Sequence, residues 1–517
     1  MDGDRVVRRY RSVPDPRGVL PWLVGVVLIL GMADLALARA LFSDAVSPVR
    51  VAQTARPVKA ERAASASAPR ARAAVPAVKA RAPNSGLWTF RGNARRSLTG
   101  IGPVPRRSPR IVWRYPRTGG MCSRSADETG TSTWCGVGWT GQPNVIPRPK
   151  GKLELRFGAY DRRYHFLDAA TGREVRPPLL TGDLAKGSAT SDPDGFPLYY
   201  AGSRDNSLRV VALDRGRPTV LWRLDSYAGG PVTWNDDWDG APLVVEGHLL
   251  VGGENSWFYV VRLNRGYDRH GKVHVRPRVV ARVPSWDGRL LAARSDRAFS
   301  IESSVAYDRG IAYFANSAGL VQGWDVRQTF RRGEPPRRVF RFWMGDDTDG
   351  SVVIDEKGFL YVASELERFT GRSRAVGQLV KLDPRRPRSP LVWSVPLRSI
   401  GRGGKGGSWA TPAVVGDTVY IATNAGGVVA VDRRTGRTRW KLALPGPTWG
   451  SPVVVDGVLV EGDCRGNLRA FDVTGRRPRA LWSIRLGGCI ESTPAVWRGR
   501  IYVGTRGGAL YALAARP

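Results

Sequence analysis

The stretch Thr411-Pro412-Ala413-Val414-Val415-Gly416-Asp417 leads into Val419-Tyr420-Ile421-Ala422-Thr423 and the Gly426-Gly427 turn. Residues 428–432, the Thr435-Gly436 turn and Arg439-Trp440-Lys441-Leu442 complete it. About 40 residues later the same text returns. It reads Ser451-Pro452-Val453-Val454-Val455-Asp456-Gly457, Leu459-Val460, Gly466-Asn467, Ala470-Phe471-Asp472, Thr474-Gly475 and Leu481-Trp482. A third copy runs through Thr493-Pro494-Ala495-Val496, Ile501-Tyr502-Val503-Gly504, Gly507-Gly508 and Tyr511-Ala512-Leu513. Each copy is a set of short β-branched or aromatic runs parted by Gly-rich turns, the pattern of four antiparallel strands. Repeats of this length and strand number are propeller blades.

Fainter copies extend upstream, with first strands expected near Gln142-Pro143, Ala189-Thr190, Ala241-Pro242, Ser304-Val305 and Ser351-Val352. Their uneven lengths reflect loop insertions such as 262–282 and 365–377. The last copy stops at Tyr511-Ala512-Leu513-Ala514, where each other copy continues to a Trp-bearing strand. The missing strand is available as Arg110-Ile111-Val112-Trp113-Arg114-Tyr115, whose Trp matches Trp222, Trp393, Trp440 and Trp482. This predicts an all-β, eight-bladed propeller closed by its own N-terminal strand, which removes open sheet edges; seven blades is the alternative count.

Composition agrees with a large core. Of 517 residues 42% are hydrophobic and 18 are Trp, far too apolar for a disordered chain. Four His count against a multi-His metal enzyme. Ahead of the repeats, 1–18 reads as a basic cytoplasmic tail and 19–42 as a transmembrane anchor or signal segment. Ala36-Leu37-Ala38 offers a cleavage site for the signal reading. Residues 43–85, with 14 Ala, 5 Pro and no aromatic residue, read as a disordered linker. The propeller takes 86–517. Of the net charge of +35, the tail carries +2, the apolar segment none and the linker +6, leaving +27 on the propeller. The chain is expected to be membrane-anchored and extracytoplasmic. Such a charge favours anionic partners, among them wall polymers, lipid headgroups and acidic glycans. Compartment and missing signatures disfavour nucleic acid.

The repeats fit the pattern SPVVxxGxxYxGxxxGxLxALDxxTGxxxW and follow Leu87-Trp88-Thr89-Phe90-Arg91-Gly92-Asn93, and with these features the chain resembles the pyrroloquinoline-quinone (PQQ)-like repeat propellers. The resemblance implies the quinoprotein alcohol dehydrogenase-like fold over 86–517. It implies two kinds of function. Dehydrogenases of the family bind PQQ and Ca2+ on the propeller axis, whereas scaffold members similar to the barrel-assembly lipoprotein of outer membranes bind no cofactor. The dehydrogenases typically carry an adjacent-cysteine disulfide beside the quinone, and no two cysteines here are adjacent.

In a propeller the first strand of each blade lines the axis, with its entry loop at one mouth of the channel. The residues three places ahead of each first-strand Pro or Val are Thr140, one near Gly187, Asp239, Glu302, Asp349, Trp409, Trp449 and Glu491. Asp237 and Asp347, with Asp236 and Asp346, add to the carboxylates. Converging carboxylates suit a hard cation such as Ca2+, for which Glu302, Asp349 and Asp239 are the candidate ligands, or a cationic or polyol ligand. Trp139, Trp238, Trp409 and Trp449 are candidate stacking faces for a flat cofactor or sugar.

Four cysteines in an exported chain favour two disulfides. Three connectivities are open, and a four-Cys zinc site is the alternative. Position on one face of the ring favours Cys122–Cys135 and Cys464–Cys489. His270 and His274 are four apart in a strand-or-loop context, which makes a poor metal pair, and the glycine-rich 401–407 reads as a blade connector. The reading that results is a membrane-tethered binding or scaffold protein of the cell envelope, contacting an envelope protein, glycan or anionic wall polymer. The alternative is a PQQ- and Ca2+-dependent dehydrogenase of an alcohol or sugar, with Trp409 or Trp449 stacking on the quinone.

Overall fold

The computed structural model describes residues 85–127, 130–229, 235–397 and 405–516. The expected tail, the apolar segment and nearly all of the linker lie outside the described residues, as does most of 401–407. Among the described residues no helix is long and apolar enough to cross a membrane.

Among the described residues seven four-stranded antiparallel sheets follow one another along the chain, one per blade, and an eighth, five-stranded sheet closes the ring with strands from both ends of the propeller. Their innermost strands begin at Asn144, Thr190, Leu243, Ala306, Val353, Ala413, Val453 and Ala495. Blade 8 is closed as the sequence predicts: Arg110–Tyr115 pairs antiparallel with Ala509–Ala514. The two long loops do carry insertions. In blade 3, Gly266–Tyr267 pairs with Val273–His274. In blade 5, Glu365–Leu366 pairs with Gly406–Gly407 beside a short helix at Gly371–Val376.

The signature Trp and Thr-Gly positions have a packing reason. Trp113 of blade 8 donates its indole N–H to Ala169 of blade 1, and Trp393 of blade 5 donates to Arg433 of blade 6. Each indole lies over the turn glycine of the next blade. A Cβ on Gly172 would meet Trp113 at 2.7 Å, and one on Gly436 would meet Trp393 at 2.8 Å. Both glycines also have positive φ (69° and 74°), which disfavours any other residue.

An innermost strand presents an unpaired edge to the axis, and its buried N–H and C=O groups need partners. Side-chain hydroxyls supply part of the answer. The N–H of Gln142 donates to Ser188 Oγ (2.8 Å), Ala241 to Ser304 (2.9 Å), Ser304 to Ser351 (2.9 Å), Ser351 to Thr411 (2.9 Å), Thr411 to Ser451 (2.9 Å) and Ser451 to Thr493 (3.2 Å). Thr493 Oγ1 donates to Thr140 O at 2.7 Å, and Thr190 Oγ1 to Pro242 O at 2.5 Å. Together these bonds cross every step between neighbouring blades. The repeated Ser/Thr before Pro or Val is therefore a belt around the axis.

The second part is residues 87–101, which touch all eight blades from within. Leu87 exchanges backbone hydrogen bonds with Val145 (2.9 and 3.1 Å) in blade 1. Trp88 O accepts from Ser191 N in blade 2, Ala94 O from Tyr307 N in blade 4, and Arg95 O from Ile354 N in blade 5. Arg96 donates to Ala241 O (3.1 Å) in blade 3 and Val305 O (2.8 Å) in blade 4. Arg91 Nη2 donates to Thr411 O (2.9 Å) ahead of the blade 6 strand, and Thr99 Oγ1 to Val454 O (2.6 Å) in blade 7. Gly100 and Ile101 pair in parallel with Val496 and Trp497 in blade 8. The sequence reading assigned this stretch to the propeller without seeing it as its hub.

Arg91 and Arg96 are fully buried, and burial pulls both guanidinium pKa values down to about 9. Arg96 also donates to Phe90 O (3.0 Å) and Thr89 Oγ1 (2.6 Å). Arg96→Met would strand several buried acceptors at about 1–3 kcal/mol each. We expect it to lower unfolding stability by about 3–5 kcal/mol in denaturant titration, against under about 1 kcal/mol for the exposed Arg331→Met.

Candidate functional site

Within each blade the chain runs from the entry loop inward and down the first strand. All entry loops and second-to-third-strand turns therefore share one face, the mouth. Its cavity is lined by one residue from each blade: Thr140, Gly187, Asp239, Glu302, Asp349, Trp409, Trp449 and Glu491. Trp139 and the belt residues Ser188, Ser304 and Ser351 join them, and Phe90 of the hub contributes to the lining. Trp238 sits elsewhere: it is 1% exposed, packs on Tyr259 between blades 2 and 3, and donates to Asn206 O.

Three indoles fill the centre. Trp409 and Trp449 have ring centroids 4.6 Å apart at 36°, and Trp139 lies 5.7 Å from Trp409 at 38°. The remaining space in which a water molecule's centre can move is about 20 Å³, room for about one or two waters.

The carboxylates fall into separate groups. Asp237, Asp239 and Glu254 converge within 4.8 Å of one another, all buried. Between them sits Lys186, whose ammonium lies 2.8 Å from Asp237, 2.7 Å from Asp239 and 3.4 Å from Glu254. Lys186 also lies 4.9 Å from the ring centre of Trp139. Arg204 adds a second cation, 3.0 Å from Asp237. Burial opposes charge on Lys186, but the three carboxylates outweigh it and hold the ammonium protonated well above its ordinary range. Burial likewise raises Asp237, yet Lys186 and Arg204 bring it below the usual carboxylate value. Asp239 is pushed well above, by burial first, with Glu254, Asp237 and Glu302 adding to it against Lys186.

A second convergence, Asp347, Asp349 and Glu365, has Arg368 at 3.5 Å from Asp347. Glu365 also accepts from Asn424 Nδ2 at 3.3 Å. Glu302 accepts from Ser300 Oγ (3.2 Å), and Glu491 pairs with Arg506 at 3.1 Å. Among the described residues Glu302, Asp349 and Asp239, the ligand trio expected from sequence, do not form one such cluster; Asp239 and Asp349 each converge with acids of their own blade. Of the flanking acids, Asp346 accepts backbone N–H bonds from Asp347, Arg368 and Phe369, a turn-capping role.

Both cysteine pairs are disulfides. Cys122–Cys135 closes the loop ahead of blade 1, and Cys464–Cys489 joins the blade 7 turn to the blade 8 entry loop.

Residues 375–516 match the family described as outer membrane protein assembly factor BamB. The matched residues carry PQQ-like repeats within an eight-bladed β-propeller. Relatives of that name include one from Burkholderia pseudomallei, 32% identical over 26% of this chain, and one from Alkalilimnicola ehrlichii, 30% identical over 29%. The matches span only 36% and 42% of those relatives' own length. Among solved structures, BamB from Moraxella catarrhalis aligns with a TM-score of 0.50 at 15% identity, over 76% of this chain and 99% of that one. A europium-containing methanol dehydrogenase aligns at 0.55 and 13%, over 83% and 98%. At such identities the likeness concerns the fold.

The PQQ-like repeat invites a test of whether this mouth fits the quinone. A flat ring system stacked on Trp409 or Trp449 needs an open aromatic face, and here those indoles cover each other. The best-formed carboxylate set is already matched by the Lys186 ammonium. The residues present do not fit PQQ with its metal. Sequence comparison among the repeats missed Lys186 because unit two aligns loosely near Gly187; a signal was there, a Lys in an entry loop of a chain with 70 Arg and 10 Lys.

Removing the ammonium would leave three buried carboxylates facing one another. Lys186→Met is expected to cost about 3–5 kcal/mol at pH 7. Those carboxylates would then have folded-state pKa values raised above the unfolded ones, so the penalty is full at neutral pH and shrinks as they take up protons on acidification. Denaturant titrations of wild type and variant at pH 7 and pH 5 test this; a pH-independent difference contradicts it.

Proposed function

We propose that this protein is a membrane-tethered, extracytoplasmic scaffold of the cell envelope, whose mouth seats part of an envelope protein. The observation that carries the reading is the state of the mouth. Its aromatic centre is packed, and Asp237, Asp239, Asp347 and Glu491 are paired with Lys186, Arg204, Arg368 and Arg506. Such a surface is preorganised to lie against a partner, and the space left on its axis is too small for a flat cofactor. Indoles and arginines gathered at one centre are the residue types that carry most binding energy at protein interfaces. The relatives' printed description as assembly factors supports a scaffold role, and the apolar segment at 19–42 supports the tether and the export. No proton-transfer or redox step is assigned to the mouth residues.

Two measurements test this reading. A photo-crosslinking amino acid at Thr140, introduced in cells, is expected to give a discrete protein adduct that Trp409→Ala reduces at least about tenfold, the scale of a lost interface anchor. An adduct consisting of glycan or wall polymer would overturn the choice of partner. Calorimetric titration of the purified chain with PQQ, with and without Ca2+, is expected to show no saturable binding. Calcium-dependent binding at about micromolar affinity, lost in Asp349→Ala, would establish the quinoprotein dehydrogenase instead.

A further inference from the structure

The face opposite the mouth carries the propeller's excess charge. There the turns between third and fourth strands repeat from blade to blade, and in blades 4–7 they hold exposed arginines, among them Arg331, Arg386, Arg434, Arg437, Arg476 and Arg477. None of these six forms an ion pair among the described residues. Most acids of the same face in these blades are taken by other arginines. Asp417 and Asp432 pair with Arg439, Asp472 with Arg106 and Arg479, Asp355 and Glu356 with Arg433, and Asp325 with Arg327. The six are surplus positive charge spread over four adjacent blades.

A second observation concerns where the chain enters. The first strand of blade 1, Asn144–Pro147, descends from the mouth, so Pro147 lies toward the opposite face. Gly86 packs there: a Cβ on it would meet Val145 O at 2.7 Å and Pro147 at 2.9 Å. Leu87 then pairs with Val145, and Phe90 reaches the mouth cavity. The chain thus enters the hub from the arginine face and climbs toward the mouth.

From these two facts we infer that the arginine face is a docking surface for an anionic lipid bilayer, leaving the mouth pointing away from the membrane. The inference rests on the tethered reading above. Read as that tether, the 43 residues of 43–85 span about 35 Å root-mean-square. That keeps the face near a bilayer without forcing contact, so the contact itself must come from the arginines, each attracted to anionic headgroups and screened by salt.

The full chain is reconstituted with vesicles of phosphatidylcholine alone or with about one-third phosphatidylglycerol, and hydrogen exchange is followed by mass spectrometry. Flotation with both vesicles establishes the tether; failure to float with either overturns the tether and the docking together. With the tether in place, the turns around Arg386, Arg434–Arg437 and Arg476–Arg477 are expected to exchange at least about fivefold more slowly on anionic vesicles. The mouth loops should be unchanged, and added salt should abolish the effect. The quadruple variant Arg434→Glu, Arg437→Glu, Arg476→Glu, Arg477→Glu should lose the slowing while melting as the wild type does. Equal exchange on both vesicles overturns the docking but not the tether. So does slowing by soluble polyglutamate with none from vesicles, which would point to an anionic polymer.

Discussion

Every blade of a propeller ends at the axis in a strand with nothing beside it. In this chain eight such edges meet, and each carries buried amide and carbonyl groups that water cannot reach in numbers. An unpaired buried backbone group costs about as much as a lost hydrogen bond. Two devices meet the demand. The Ser/Thr belt links every pair of neighbouring blades, six times by an amide donating to a neighbour's hydroxyl and twice by a hydroxyl donating to a neighbour's carbonyl, and residues 87–101 circle within the ring, taking up an amide or a carbonyl from each blade. Two buried guanidinium groups are the extreme form of this solution, since Arg91 and Arg96 give up hydration to hold carbonyls of blades far apart in sequence. The N-terminal segment is therefore part of the propeller twice, as its hub and, through Arg110–Tyr115, as the outer strand of blade 8.

The same economy shapes the mouth. Carboxylates at equivalent positions of several blades would repel one another in a dry site. The chain answers with cations beside three of these sets, Arg368 at Asp347, Arg506 at Glu491 and, most completely, the Lys186 ammonium among Asp237, Asp239 and Glu254. A metal ion would perform that neutralisation in a cofactor-bearing propeller; here an amino-acid side chain does it. The packed indoles follow the same logic, filling with protein the axis space that a ligand ring would need. Charge is then divided between the faces, with acids and their counter-ions at the mouth and surplus arginine opposite.

Much of the fold was legible because the repeat writes its own geometry. The Thr-Gly turn and the Trp four to seven residues after its Gly are spaced as one blade's turn and outer strand must be, and Trp113 revealed the closing strand by being out of place in sequence. The mouth positions could be found by counting back from each first strand, since the belt fixes that register. What could not be read was which acids converge. Asp239 and Asp349 occupy equivalent places, yet each finds partners from its own second strand and turn, Glu254 and Glu365, whose positions depend on irregular loops. Trp238 shows the same limit. One residue before a mouth position, it points into the blade interface, whereas Trp139, equally one residue before Thr140, faces the cavity. The hub escaped notice because residues 87–101 have no strand periodicity; their order comes from local turns and from groups supplied by distant blades.

That dependence gives the most direct test of the account. Native-state hydrogen exchange, resolved to the amides of residues 87–101, measures whether this segment opens with the whole propeller or apart from it. If the hub closes the ring, the amides of Leu87, Gly92 and Leu98 will exchange only through global unfolding, with the same denaturant dependence as the central strands of blades 4 to 7. Exchange of those amides at markedly lower free energy, with the blades still protected, would show that the ring holds without its hub and would contradict the account.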